Sequence, residues 1–245
     1  MVKIVNPATR HLLDSPHRAV QNLSPMPEDT PNVPLDPVSL RLAASSALIR
    51  RRRTIKPENM SNRAVDKRYI AAILENANWA PSHGLTEPWR FTIFSGEARE
   101  DLAAFLRRLY VTKTSEENFR EDKLEKLGLN PLRADVAIII GMKRQDSRKI
   151  PEVEEIEAVA CAVQNMHLTA SAIGLGAFWS TPPIVYTPEM TKFIELDPEH
   201  DQCLGIFYLG WPEGIEPDDQ PKSETEDKWP KGQRQPVEEK ITWKE

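Results

Sequence analysis

Helical and strand-like segments alternate between residues 38 and 212, and this alternation limits the possible folds of the chain more than any other feature of its sequence. The clearest helical segment is 152–173, where apolar side chains recur at intervals of three and four residues. Short β-branched or aromatic runs typical of strands occur at 89–95, 135–142, 177–181 and 202–209. Helices that alternate with four or five such strands predict a mixed α/β fold, with helices packed on a central sheet.

Further helices are predicted from their start and stop signals. Asp36 as N-cap and Pro37 in the first turn begin a helix with an apolar stripe, which runs up to the arginines at 50–53. Other predicted helices begin after Asp66 and after Gly96, span about 115–127 with Gly128 as the closing residue, and span 188–196. The nearly continuous apolar surface of 152–173 indicates a central helix or a helix at a dimer interface.

Composition narrows the class of protein. The chain has 245 residues, 40% of them hydrophobic, which is ample for one large domain. A net charge of -5 disfavours a protein that binds nucleic acid over its whole surface. Cys161 and Cys203 lie in apolar patterns, which predicts buried thiols and neither a disulfide nor a redox pair. No apolar signal segment opens the chain, and its longest apolar run is too short to span a bilayer, so we expect a cytoplasmic protein.

The two ends differ from the central part. Residues 1–37 are interrupted by prolines and have no periodicity, which predicts an extended arm, either disordered or laid over another surface. Residues 213–245 form an acidic extension with a terminal basic segment and a possible strand at 237–243. The predicted organisation is therefore an arm at 1–37, a domain at 38–212 and an extension at 213–245.

An arginine run followed by a hydroxyl side chain is the first candidate for binding chemistry. Arg52 and Arg53 could bind a cofactor phosphate in bidentate fashion beside the hydroxyl of Thr54, and Lys56 could reach the ring system of such a cofactor. Two alternatives stay open. Basic residues at a helix C-terminus complement the helix dipole, and a basic run can also be a nuclear-localisation or nucleic-acid patch.

The loop at 80–91 is the second candidate. Ser82 and His83 lie in a tight turn and could hydrogen-bond a planar heteroaromatic ring, whereas Trp89 is predicted to pack in the core. The simpler alternative for His83 is a loop residue that caps a helix end.

Two more segments could complete a binding site. The glycines at 174 and 176 follow a helix and open a strand, the reverse of the Rossmann order, so we interpret them as a C-cap and a tight turn. The strand that they open ends in Trp179, Ser180 and Thr181, which suit the edge of a bound ring. Arg234 could bind the same phosphate as Arg52. The alternative interpretation is that Arg234 belongs to a solvated tail and binds no ligand.

Other catalytic chemistries lack their signals. The histidines do not have the spacing to Cys, Asp or Glu that a metal site requires, and neither a GxSxG elbow nor a P-loop occurs. Because no nucleophile or acid–base pair is evident, we predict no metal and no catalytic side chain. An organic cofactor is then the economical source of reactivity.

Together these segments resemble the nitroreductase family of FMN-dependent oxidoreductases over roughly residues 40–212. This resemblance implies that Arg52, Arg53 and Thr54 contact the phosphate and ribityl chain of the flavin. It also implies that Lys56 is the family's cation two residues further on. The loop histidine of small bacterial members corresponds to His83. Their Trp-Arg-Ser turn corresponds to Trp179, Ser180 and Thr181, and the carboxy-terminal phosphate arginine to Arg234.

The resemblance implies a nitroreductase-like α/β (α+β) fold, with a mixed, mostly antiparallel sheet flanked by helices. It also implies a homodimer with two FMN sites, each built from both subunits. The expected reaction is ping-pong transfer of hydride from NAD(P)H, through flavin N5, to a planar acceptor such as a nitroaromatic or quinone. Alternatives are dehalogenation or dehydrogenation on the same scaffold, a non-catalytic flavin-binding or scaffold protein, and a basic-patch interaction protein.

Overall fold

The computed structural model describes residues 36–214 and 232–244, which belong to two compact units, Met1–Ile49 and Arg50–Glu245. In the first unit it describes the start of helix α1 (Pro37–Arg51). Asp36 caps this helix as predicted, because its carboxylate accepts hydrogen bonds from the backbone N–H groups of Val38 and Ser39 at 2.8 and 3.2 Å. No residue of α1 is buried, so the predicted apolar stripe is exposed. Apart from its last two residues, the predicted arm lies outside the described residues.

Four antiparallel strands of the second unit form a sheet with the order β1-β2-β4-β3. They are β1 (Trp89–Ser95), β2 (Val136–Met142), β3 (Gly176–Ser180) and β4 (Gln202–Gly210), each within about one residue of the predicted segment. The two central strands, β2 and β4, are buried at every position except Gln202, which explains their continuous apolar sequences.

Helices cover both faces of this sheet. One core cluster joins it to α2 (Lys67–Ala77) and α5 (Glu152–Ala172). The other joins it to α3 (Ala98–Lys113), α4 (Glu121–Arg133) and α6 (Pro188–Phe193). Side chains that alternate along β2 divide between the two clusters, with Ile138 in the first and Ile139 in the second. The unit is therefore a helix–sheet–helix sandwich, which confirms the predicted mixed fold.

The predicted end of the fourth helix at Gly128 was wrong. Helix α4 continues through Gly128 and Pro131 to Arg133. A Cβ atom at Gly128 would lie 2.8 Å from the Cδ atom of Arg107, so this glycine permits close packing between α3 and α4 instead of closing a helix.

Two further predictions, the strand at 237–243 and the burial of Cys161, also need correction. The possible strand at 237–243 is a 3₁₀ turn over Val237–Lys240, in which the N–H of Ile241 bonds locally to the carbonyl of Glu238. Cys203 is buried as predicted, and burial raises the pKa of its thiol to about 12. Cys161 is exposed, because it lies on the outer side of α5.

Candidate functional site

The segment after α1 runs along the edge strand β3. The backbone N–H of Ile55 donates to the carbonyl of Ala177 at 3.0 Å, and Thr54 forms an isolated parallel bridge with the same residue. A Cβ atom at Gly176 would lie 2.9 Å from the side chain of Ile55, so glycine is needed for this close approach. The exposed ammonium of Lys56 lies 3.9 Å from the carboxylate of Glu58. The predicted phosphate loop is therefore anchored beside the sheet.

Three guanidinium groups come together at this edge, and we call Arg52, Arg53 and Arg234 the guanidinium cluster. Burial lowers the pKa of the half-buried Arg52, and the nearby charges of Arg234 and Arg53 lower it further. Gly232 packs so closely on Arg53 that a Cβ atom there would lie 2.6 Å from the Nη2 atom. Among the described residues, the Arg52 guanidinium has no hydrogen bond and no carboxylate partner. The cluster therefore concentrates positive charge as an anion-binding site does.

A buried histidine lies beside this cluster and was not among the predicted site residues. His167 on α5 is 8% exposed, and its ring packs edge-on against Phe207 with centroids 4.8 Å apart. Burial, together with the charge of Arg52, lowers the pKa of His167 to about 4, so the imidazole is neutral at pH 7. The signal in the sequence was a polar residue at a core position of an otherwise apolar helical pattern.

The residues at the end of β3 flank the same edge. The indole N–H of Trp179 donates to the carbonyl of Leu204 at 3.1 Å, which holds the ring over Gly205. Gly205 has φ +135°, and a Cβ atom there would lie 2.5 Å from the Nε1 atom of Trp179, so only glycine fits. Ser180 is half-buried and Thr181 is exposed, so neither of the two residues that follow Trp179 is enclosed in the core.

The loop that carries Ser82 and His83 is anchored to the start of α5. The Nδ1 atom of His83 lies 2.6 Å from the Oε2 atom of Glu154, and the Oγ atom of Ser82 accepts the N–H of Glu87 at 3.3 Å. Its partner Glu154 lies in the first turn of α5. The exposed imidazole is thus held by a carboxylate through its Nδ1 atom.

The loop and the guanidinium cluster lie at different ends of α5. Glu154 contacts His83, and His167 lies close enough to Arg52 for the arginine charge to lower its pKa. These two residues of α5 are thirteen residues apart, which corresponds to about 20 Å along the helix. One chain therefore brings Arg52, Arg53, Thr54 and Arg234 together beside the β3 edge. It does not bring Ser82 or His83 to them.

Residues 36–214 and 232–244 also bear on metal binding and on membrane insertion. Within them no group of three or more His, Cys, Asp or Glu side chains is placed to hold a metal ion. In the same ranges, each helix is too short or too polar to cross a bilayer.

Comparison with known proteins identifies the family. The model for the Nitroreductase family matches residues 49–211. YdjA of Escherichia coli (strain K12), a candidate NAD(P)H nitroreductase, is 29% identical over 141 residues, which are 58% of this chain and 74% of YdjA. The crystal structure of a nitroreductase-like family protein from Bacillus cereus superposes with a TM-score of 0.64 at 26% identity, covering 82% of this chain and 95% of that one.

A second solved structure has a bound cofactor. It is a candidate nitroreductase of Desulfovibrio desulfuricans in complex with FMN, which superposes with a TM-score of 0.56 at 23% identity and covers 86% of this chain and 98% of that one. At this identity the likeness establishes the fold. Since the family model spans more than half of the sequence, this chain belongs to the nitroreductase family.

Proposed function

We propose that this protein is an FMN-dependent oxidoreductase that uses NAD(P)H. The observation that carries the proposal is the guanidinium cluster, in which Arg52 has no carboxylate partner among the described residues. Family membership and the names of the relatives agree with this function, because YdjA is a candidate NAD(P)H nitroreductase and the D. desulfuricans protein binds FMN. FMN supplies hydride chemistry at its flavin ring when it is bound.

The residues at the edge of β3 suit such a cofactor. Arg52, Arg53 and Arg234 would neutralise the phosphate, and the hydroxyl of Thr54 would bind the phosphate or the ribityl chain. Lys56 would place a cation at the pyrimidine edge of the ring, where negative charge accumulates on reduction. Trp179, Ser180 and Thr181 would contact the edge of the ring system.

A homodimer would bring the remaining predicted residues to the cofactor. Within one chain, the α5 residue that contacts His83 and the α5 residue beside the guanidinium cluster are about 20 Å apart along the helix. A twofold axis that places the partner's loop over the cluster would complete each site. We propose that each FMN lies between two chains, with the phosphate held by one and the ring contacted by the loop of the other.

We propose a planar acceptor such as a nitroaromatic or a quinone, which would alternate with the nicotinamide at one position and give ping-pong kinetics. Steady-state turnover of a nitrofuran and quinone panel with NADH and NADPH tests this. Bound FMN that neither nucleotide bleaches under anaerobic conditions would instead favour a non-catalytic flavin-binding protein. Turnover restricted to halogenated or heterocyclic substrates would favour dehalogenation or dehydrogenation.

FMN binding itself is tested through Arg52. Purified protein should show oxidised-flavin absorption bands, and Arg52→Ala should raise the FMN dissociation constant about 30-fold, since a hydrogen bond to a charged group contributes about 2 kcal/mol. Isothermal titration of the FMN-free chain measures this constant. Arg51→Ala is the matched control, because Arg51 is an exposed neighbour in the same run. Equal affinity of the two variants would remove Arg52 from the site, and failure of the wild type to bind FMN would overturn the proposed function.

A further inference from the structure

The side chain of His167 has an unexplained polar atom. The residue is 92% buried, and its Nδ1 atom has no hydrogen-bond partner within the described ranges. Such atoms are rare in folded proteins, and each one calls for a missing partner such as a water molecule or a ligand. The surrounding core supplies none, since the ring packs on Phe207 within an apolar cluster.

The position of His167 relates this atom to the guanidinium cluster. Arg52 is close enough for its charge to act on the imidazole, and no carboxylate is paired with either residue in the described part of the chain. Phe207, which the imidazole contacts, is the register partner of Trp179 on β3. His167 therefore lies under the same edge of the sheet that presents Thr54 and the arginines.

We propose that His167 is a further ligand-binding residue of this site, whose imidazole hydrogen-bonds the phosphate group that Arg52 holds. This inference rests on the proposed function, with the phosphate monoester of FMN as the ligand. A phosphate oxygen would satisfy the unpaired nitrogen, and its negative charge would offset the arginine charge that bears on the ring. The imidazole would thus add a buried contact to those that the arginines make.

Comparison of FMN with riboflavin isolates this contact, because riboflavin has the same ring and ribityl chain and no phosphate. In the full-length FMN-free protein, His167→Leu should raise the FMN dissociation constant about tenfold and change riboflavin affinity less than about twofold. His167→Asn should stay within about threefold of the wild type for FMN, since its amide can occupy the place of Nδ1. Met166→Leu, at a neighbouring buried position of α5, is the packing control and should leave both constants unchanged.

The outcomes separate the inference from the function on which it rests. If His167→Leu weakens FMN and riboflavin equally, or weakens neither, the imidazole serves packing or a buried water and the inference is wrong. If the wild type binds neither flavin, the proposed function itself fails. Thermal unfolding of each FMN-free variant verifies the fold, so that a loss of both flavins through misfolding is recognised.

Discussion

For single residues, burial determines the electrostatic surroundings of a side chain more than residue type does. His167 and His83 are both histidines of the same unit, yet one is enclosed beneath the sheet edge and the other is 61% exposed and paired with Glu154. The first interacts with the charge of an arginine, and the second with a carboxylate. Periodicity in the sequence places His167 on a buried helix face, but only the packed structure shows which charge it meets.

The buried imidazole makes stability depend on pH. The pKa of His167 is about 4 in the folded chain, against an ordinary value of 6.5, so the unfolded chain binds more protons between these values. Stability is therefore lost as pH falls from 6.5 toward 4, and we expect His167 to contribute a loss of about 2 kcal/mol between pH 7 and pH 5. Urea unfolding of the FMN-free protein at both pH values measures it.

The variant His167→Leu serves as the reference for this pH dependence. It retains every other titrating group and should lose about 2 kcal/mol less than the wild type over the same interval. Identical losses in the two proteins would mean that the imidazole titrates normally in the folded chain.

Among the elements, α5 contacts both groups of predicted site residues, one near each of its ends. Its first turn holds the His83 loop through Glu154, and its second half places His167 beside Arg52. Next to the first of these contacts, Glu155 is fully buried and receives the Nε–H of Arg144 at 3.0 Å, which anchors the loop after β2. The same loop is held from the other side by Asp201, which accepts the backbone N–H of Arg144.

Removal of the buried charge at Glu155 should therefore be costly. Glu155→Gln leaves the Arg144 guanidinium, whose side chain is 17% exposed, without its nearest carboxylate, and should lower the free energy of unfolding by about 3 kcal/mol. Glu157→Gln, at an exposed position two residues along α5, should change it by less than about 0.5 kcal/mol. Urea unfolding at pH 7 compares the two variants. Similar stabilities would show that the ion pair does not anchor the loop.

At the scale of the whole molecule, the separation of His83 from the guanidinium cluster makes the oligomeric state decisive. A site built from two chains takes Arg52 from one and His83 from the other, whereas a site within one chain takes both from the same chain. The two arrangements differ in what happens when two kinds of inactive subunit are mixed.

Subunit complementation tests the shared site. Mixed dimers of Arg52→Ala and His83→Ala chains carry one intact and one doubly altered site, so random exchange should restore high-affinity FMN binding to about a quarter of all sites. Titration with FMN after unfolding and refolding the mixture together measures the fraction, and each variant refolded alone is the control. No recovery above the two separate variants would place Arg52 and His83 in one chain's site.

Short segments of the sequence were enough to predict the strands of the sheet and most of the helices, and also to predict an anionic ligand. Short β-branched and aromatic runs located the four strands of the described sheet, and the arginines at 52 and 53 with the following threonine predicted a phosphate loop, because patterns of hydrophobicity and charge are properties of short segments. The strand order, the continuation of α4 beyond Gly128 and the proximity of Arg234 to Arg52 could be seen only in the folded chain. These depend on contacts between residues far apart in the chain, and such contacts follow from packing in three dimensions, which no local pattern records.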